Sequence, residues 1–193
     1  GDVTVYPSAI HADLMAGGFL YCFVAGFLMT AVPRFYGSYH GTVTEKILGL
    51  GVAAGLFMTG FSEARLDFHL VSLGGYALLT FFYLARHRNR TFKRAPEMFF
   101  LELALACGIL GSALLAAKEM LLIGEEPALL GRKLYSQGMI FSMILGVGSR
   151  LVPAVLGWKE PLPLKPGVTA VLSEKSWTWI VVLVFAMSFP LEV

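Results

Sequence analysis

The sequence predicts an all-α fold, a polytopic bundle of transmembrane helices. Three observations carry this. Of 193 residues, 56% are hydrophobic and only 15% are charged, where a soluble domain has about 25% charged. The mean hydropathy is +0.71. The apolar residues also fall in blocks of about 20, the helix length that crosses a hydrocarbon core of ~30 Å. A net charge of +2 gives no footprint for nucleic acid, so the lipid bilayer is the partner that composition implies.

Six spans follow in order. The first, about 10–32, is "AIHADLMAGGFLYCFVAGFLMTAVPRF" and stops at Pro33-Arg34. The second, about 46–62, is "KILGLGVAAGLFMTGFS". The third, about 66–85, is "LDFHLVSLGGYALLTFFYLA" and runs into the basic loop "RHRNRTFKR". The fourth, about 97–117, is "EMFFLELALACGILGSALLAA". The fifth, about 134–157, is "LYSQGMIFSMILGVGSRLVPAVLG". The sixth, 176–193, is incomplete. Short linkers make successive helices antiparallel neighbours, and the linker 158–175, with four prolines or glycines, reads as extended. The chain opens with Gly, and its last apolar run, Trp177–Val193, is short and contains Pro190. It therefore reads as a fragment of a larger protein, here a single bundle over 1–193.

Basic residues set the expected orientation. With the amino end outside, the inner loops hold ten of the 15 Lys and Arg, from Arg34 and Lys46 through Arg86–Arg94 to Lys159, Lys165 and Lys175. The cytoplasmic side carries such an excess. Cys22 and Cys107 sit mid-span without CxxC or zinc spacing and read as packing residues. Small residues at Gly51-x-x-x-Gly55 and Gly60, and at Ala104, Gly108 and Gly111, mark expected close helix crossings.

The first span carries a soft, small face: His11, Met15, Gly18, Cys22, Gly26 and Met29 share it at helical spacing. It reads either as a seat for something flat and polarizable or as packing against Gly-rich neighbours. His11 reads as a metal ligand or as a residue of the headgroup layer. His69 lies three residues into its own span, at nearly the same depth. Two imidazoles at one depth on nearby helices suit a haem iron. Ser72, Tyr76, Thr80 and Tyr83 continue the face of His69 and are expected to look into the bundle. They read as hydrogen-bond support for a ligating His or as hydroxyls bonded to their own helix. His40 and His87 read as solvated loop residues. Glu102 and Arg150 are expected to face the bundle and are candidates to pair with each other, with snorkelling of Arg150 as the alternative. Arg34 and Arg150 are candidates for a haem propionate. Asp13 points about 200° around the helix from His11, which argues against a shared His-x-Asp copper site. His11 and Met15, at i and i+4, suit Cu(I) instead.

"HADLMAGGFLYCFVAGFLMTAVPRF" resembles the NnrS-like family of bacterial membrane proteins, which have a His-Ala-x-x-Met start running into Gly-Phe-Leu-x-Thr-Ala-x-Pro. "YSQGMIFSMILGVGSRLVPAVLG" (135–157) is similar to a later helix of that family. The resemblance implies a protein of roughly twelve spans in the bacterial inner membrane, associated with haem and copper and linked to nitric oxide metabolism or tolerance. It places His11 on the family's histidine. Where the family often has His or Glu just after that position, this chain has Asp13 and Leu14, and "VPAVLGW" lacks the family's His. A more distant likeness to the haem–copper oxidase core comes without a copper-type His cluster, so oxygen reduction is not expected. No residue set forms a catalytic acid, base or nucleophile, and enzymatic activity stays open.

The expectation is thus a membrane haem protein with an electron-transfer or nitric oxide role, using His11, His69 and, for propionates, Arg34 and Arg150. The alternatives are a transport module lined by the third span's polar stripe, Glu102 and Arg150, and a copper-handling protein using His11 and Met15.

Overall fold

The computed structural model describes residues 11, 13–61, 65–92 and 98–155, with side chains through residue 148. The helices are α1 (Leu14–Tyr36), α2 (Val43–Gly60), α3 (Arg65–Arg88), α4 (Met98–Glu119), α5 (Glu125–Lys133) and α6 (Met139–Val155). Helices α1 to α4 are each long and apolar enough to cross a membrane. Helix α5 passes through a π-helical turn, Leu134–Gly138, into α6. The helix that carries the fifth predicted span therefore already begins at Glu125, ahead of the predicted start at 134. The sixth span, 176–193, and its linker lie outside the described residues.

Helix α3 is the hub. It packs on α1, α2 and α4, and α4 in turn packs on α5 and α6. Helices α1 and α3 run parallel. Asp13 and Arg65 pair where they start, and the Tyr36 and Tyr83 hydroxyls meet at 2.7 Å where they end. The bundle thus has a His69 end and an Arg86 end.

The turn from α1 to α2 is fixed locally. Gly37 closes α1 with φ +58°, a conformation glycine adopts without a Cβ penalty. Pro33 cannot donate to Met29 O, and the amide of Gly41 donates to that oxygen instead, at 3.4 Å. Thr42 then opens α2 with a capping box. Its hydroxyl accepts from the Glu45 amide (3.2 Å), and its own amide donates to the Glu45 carboxylate (2.8 Å).

Glycines seat rings and backbones where helices cross. A Cβ on Gly108 would stand 2.8 Å from the Tyr76 ring, and one on Gly111 would stand 2.7 Å from the backbone nitrogen of Tyr135. These are the close crossings expected in the fourth span. In the second span the expected crossing holds at Gly60, where a Cβ would run into the Leu14 side chain, and at Gly55, which meets Val71, whereas Gly51 has nothing within 4 Å.

The soft stripe of α1 exists, but it does not point into the core. Met15, Cys22 and Gly26 are exposed, and Met29 rests on Gly41 and Gly49 beside α2. The buried face is Tyr21, Val24, Leu28, Val32 and Tyr36. In lipid, apolar residues gain little by turning inward. The Tyr36 hydroxyl meets Tyr83 and the Tyr21 ring stands edge-on to Tyr76, so this face turns to α3.

Candidate functional site

At the His69 end, four helices enclose a cavity of about 350 Å³ lined by Asp13, Arg65, His69, Lys118, Arg132 and Tyr135 among others. His69 is 6% exposed, and its Nδ1 has no hydrogen-bond partner among the described residues. A buried polar nitrogen left unpaired costs about 1–3 kcal/mol, so an unmade bond here calls for a reason. The Phe68 ring stands edge-on to the imidazole at 5.7 Å.

Two irregular turns shape this cavity. Residues Leu14–Phe19 and Leu134–Gly138 are both π-helical. Such turns insert a residue into an α-helix and recur at functional sites. They bring Tyr135 over Gly17, where a Cβ would clash with the Tyr135 hydroxyl. That hydroxyl pairs with Ser72 Oγ at 2.9 Å. Arg65 donates to Asp13 and so ties the start of α3 to the start of α1. Lys118 donates to Glu125 at 2.8 Å.

The predicted site residues separate. His11 is exposed and lies two residues before Asp13, at the same end as His69. Met15 is 48% exposed. Arg34 is exposed in the last turn of α1, at the end opposite His69. The Arg150 side chain lies outside the described residues. The cations that share the cavity with His69 are Arg65, Lys118 and Arg132, which the sequence reading did not select. Among the described residues, no group of three or more His, Cys, Asp and Glu is placed to hold a metal ion.

The Arg86 end is built differently. Arg86, expected in a solvated loop, is 0% exposed inside α3. Its guanidinium grips Glu45 twice, Nη1 to Oε1 at 3.1 Å and Nη2 to Oε2 at 2.8 Å, and Nη1 also donates to Phe82 O at 2.9 Å. The Tyr39 ring lies 5.0 Å from the guanidinium carbon. Partial burial and the Glu45 carboxylate hold the Tyr39 hydroxyl above the ordinary phenol range.

Beside this pair runs a string of hydroxyls. Tyr83 donates to Glu102 Oε1 at 2.7 Å. Its single proton is then committed, so at 2.7 Å Tyr36 donates to Tyr83. Glu102 faces the bundle, as expected. His87 is not a solvated loop residue: it belongs to the last turn of α3, and its ring packs on Tyr36 and Tyr83 at 5.7 and 5.9 Å. The polar stripe divides between its two expected fates. Ser72, Tyr76 and Tyr83 bond across helices, whereas Thr80 bonds its own backbone at Tyr76 O (2.8 Å).

One missed signal was in the spacing. His69, Ser72, Tyr76, Tyr83 and Arg86 keep a single face of α3, and that face carries Arg86 out of the basic run and into the core.

Neither a curated protein nor a solved structure matches the chain. A family model described as "NnrS protein" matches residues 2–193, and so the chain, an all-α membrane bundle, belongs to the NnrS family.

Proposed function

We propose that the chain is part of a membrane haem protein acting in the response to nitric oxide, with His69 as an iron ligand. The observation that carries this reading is the buried imidazole with an unpartnered Nδ1 on a cavity of about 350 Å³, within the ~300–1,000 Å³ range of small-molecule sites.

The donor set fits the group. Neutral imidazole suits iron, and Arg65, Lys118 and Arg132 suit the carboxylates of a porphyrin. They replace Arg34, which stands at the other end. His11 is the proposed second ligand: the Asp13–Arg65 pair holds its helix start beside the start of α3. A bound haem would supply an iron that takes nitric oxide and exchanges single electrons. The chain's own part is to set the imidazole against the Phe68 ring on the cavity that Tyr135 also lines, and to present cations there. The family resemblance supports the link to nitric oxide and a place in the bacterial inner membrane. The excess of Lys and Arg in the loops at the Arg86 end supports an outward-facing amino end.

The copper reading keeps His11 and Met15, which are exposed on the same short stretch. The transport reading has less support, because the hydroxyls of α3 are engaged with bundle partners.

The test is a reduced-minus-oxidised absorbance spectrum of the purified full-length protein beside His69→Ala and His11→Ala. Haem bands that are lost in His69→Ala support the reading, and a further loss in His11→Ala supports the paired ligands. A wild-type protein without bands, with haem supplied during expression, overturns it.

A further inference from the structure

The two ends of the bundle carry different surface charge. At the His69 end, Arg65, Lys118 and Arg132 mix with Asp13 and Glu119. At the Arg86 end, the exposed charges among the described residues are all cationic: Arg34, Lys46, Arg88 and Arg90. The carboxylates of this end turn inward, Glu45 to Arg86 and Glu102 to Tyr83. No carboxylate among the described residues pairs with any of the four exposed cations.

These charges stand on a fixed frame. Past Arg88 the chain folds back over the end of α1. The amides of Thr91 and Phe92 both donate to Tyr36 O, at 2.9 and 3.1 Å, and the Thr91 hydroxyl donates to Gly37 O at 2.9 Å. Gly37 makes room for this strap, because a Cβ there would run into the Thr91 hydroxyl and the Phe92 ring. Each exposed cation lies within two residues of a tie between segments: Arg34 near Tyr36, Lys46 near Glu45, Arg88 near Arg86, and Arg90 near Thr91. Phe92 and Tyr39, 58% and 39% exposed at the same end, add rings of the kind that sits at headgroup level. Helices α1 and α3 end here and α2 starts here, where a spanning bundle leaves the hydrocarbon. The headgroup layer is therefore what faces these cations, and its anions are phosphodiesters, which guanidinium groups pair with strongly. A bias of basic residues sets orientation, but it does not require that the basic loop be tied down.

We infer that the Arg86 end is a binding site for acidic phospholipid, with the headgroup held among Arg34, Lys46, Arg88 and Arg90 and with Phe92 and Tyr39 lying in the same layer. The inference is independent of the haem reading.

The test is native mass spectrometry of the full-length protein in detergent, titrated with phosphatidylglycerol or with phosphatidylcholine of the same chains. Phosphatidylglycerol is expected to bind at least about tenfold tighter. Arg34→Gln is expected to weaken its binding about fivefold, and Arg88→Gln together with Arg90→Gln more than about tenfold. Lys133→Gln, the same change of charge at the other end, is expected to leave it unaltered. Thr91→Pro keeps every charge but removes an amide and a hydroxyl that hold the strap, and is expected to weaken binding about threefold. Equal binding of the two lipids, indifference to the double variant, or an equal loss in Lys133→Gln would overturn the site. Indifference to Thr91→Pro would reduce it to net charge, and displacement of the lipid by polyglutamate would overturn it in favour of an acidic protein. The experiment needs no haem, so its failure is distinct from a failure of the absorbance test.

Discussion

The two ends of α3 treat a buried nitrogenous side chain in opposite ways. Arg86 is enclosed and nearly satisfied: a carboxylate holds it at two points, a backbone carbonyl takes a third bond, and a tyrosine ring lies against it. His69 is almost as deeply enclosed, yet its Nδ1 is unpaired and a cavity opens beside it. One end spends its polar groups on holding helices together. The other leaves an imidazole nitrogen unpaired beside a cavity. Arg86 Nε is unpaired as well, so what separates the two ends is the cavity beside His69 rather than burial or an unpaired nitrogen alone.

Substitutions test this difference, and the largest effect is expected at Arg86. Arg86→Met leaves Glu45 buried without its partner and is expected to cost about 3–5 kcal/mol, while Glu45→Leu together with Arg86→Met is expected to regain most of that. Unfolding of the detergent-solubilised protein measures both, and a single variant as stable as wild type would make the pair ornamental. Next is the helix seam between the ends. Gly108→Leu drives a side chain into the Tyr76 ring and is expected to cost about 1–3 kcal/mol, read as a lowered unfolding midpoint. Tyr83→Phe removes the middle of the hydroxyl string. Hydrogen bonds between membrane helices contribute about 0.6 kcal/mol each on average, so a loss near 1 kcal/mol is expected in the same assay. The smallest effect is expected at His69 and has the opposite sign. His69→Leu removes an unpaired nitrogen and is expected to leave the haem-free protein as stable as wild type, or stabler by about 1 kcal/mol. If His69→Leu destabilises as much as Arg86→Met does, His69 is a structural residue and the contrast between the ends disappears.

Much of the fold was legible in the sequence because the bilayer imposes a length. Runs of apolar residues gave four of the helices within a few positions. Which way each helix faces was harder to read. The stripe through Met15, Cys22 and Gly26 is regular, yet it lies on the outside, because hydrocarbon does not sort apolar side chains into an interior as water does. Polar groups sort instead, and the polar face of α3 was assigned correctly from Ser72, Tyr76 and Tyr83. Arg86 was missed because it sits in a run of basic residues, where charge suggested solvent and the helical spacing from Tyr83 was not followed one more turn. The cavity was only half visible. His69 stood out as an ionisable residue within a span, whereas Arg132 and Tyr135 come to it through a π-helical turn that no spacing at 3.6 residues anticipates.

Glu45 has a further consequence, for how the chain is made. Its carboxylate caps α2 through Thr42, three residues back, and grips Arg86, 41 residues ahead. A helix that leaves the ribosome first carries its acid into the membrane already bonded to its own backbone. The arginine arrives later and finds an acceptor held in place. Local bonding thus protects α2 during the interval when its partner has not yet been synthesised, and the order of residues along the chain doubles as an order of assembly.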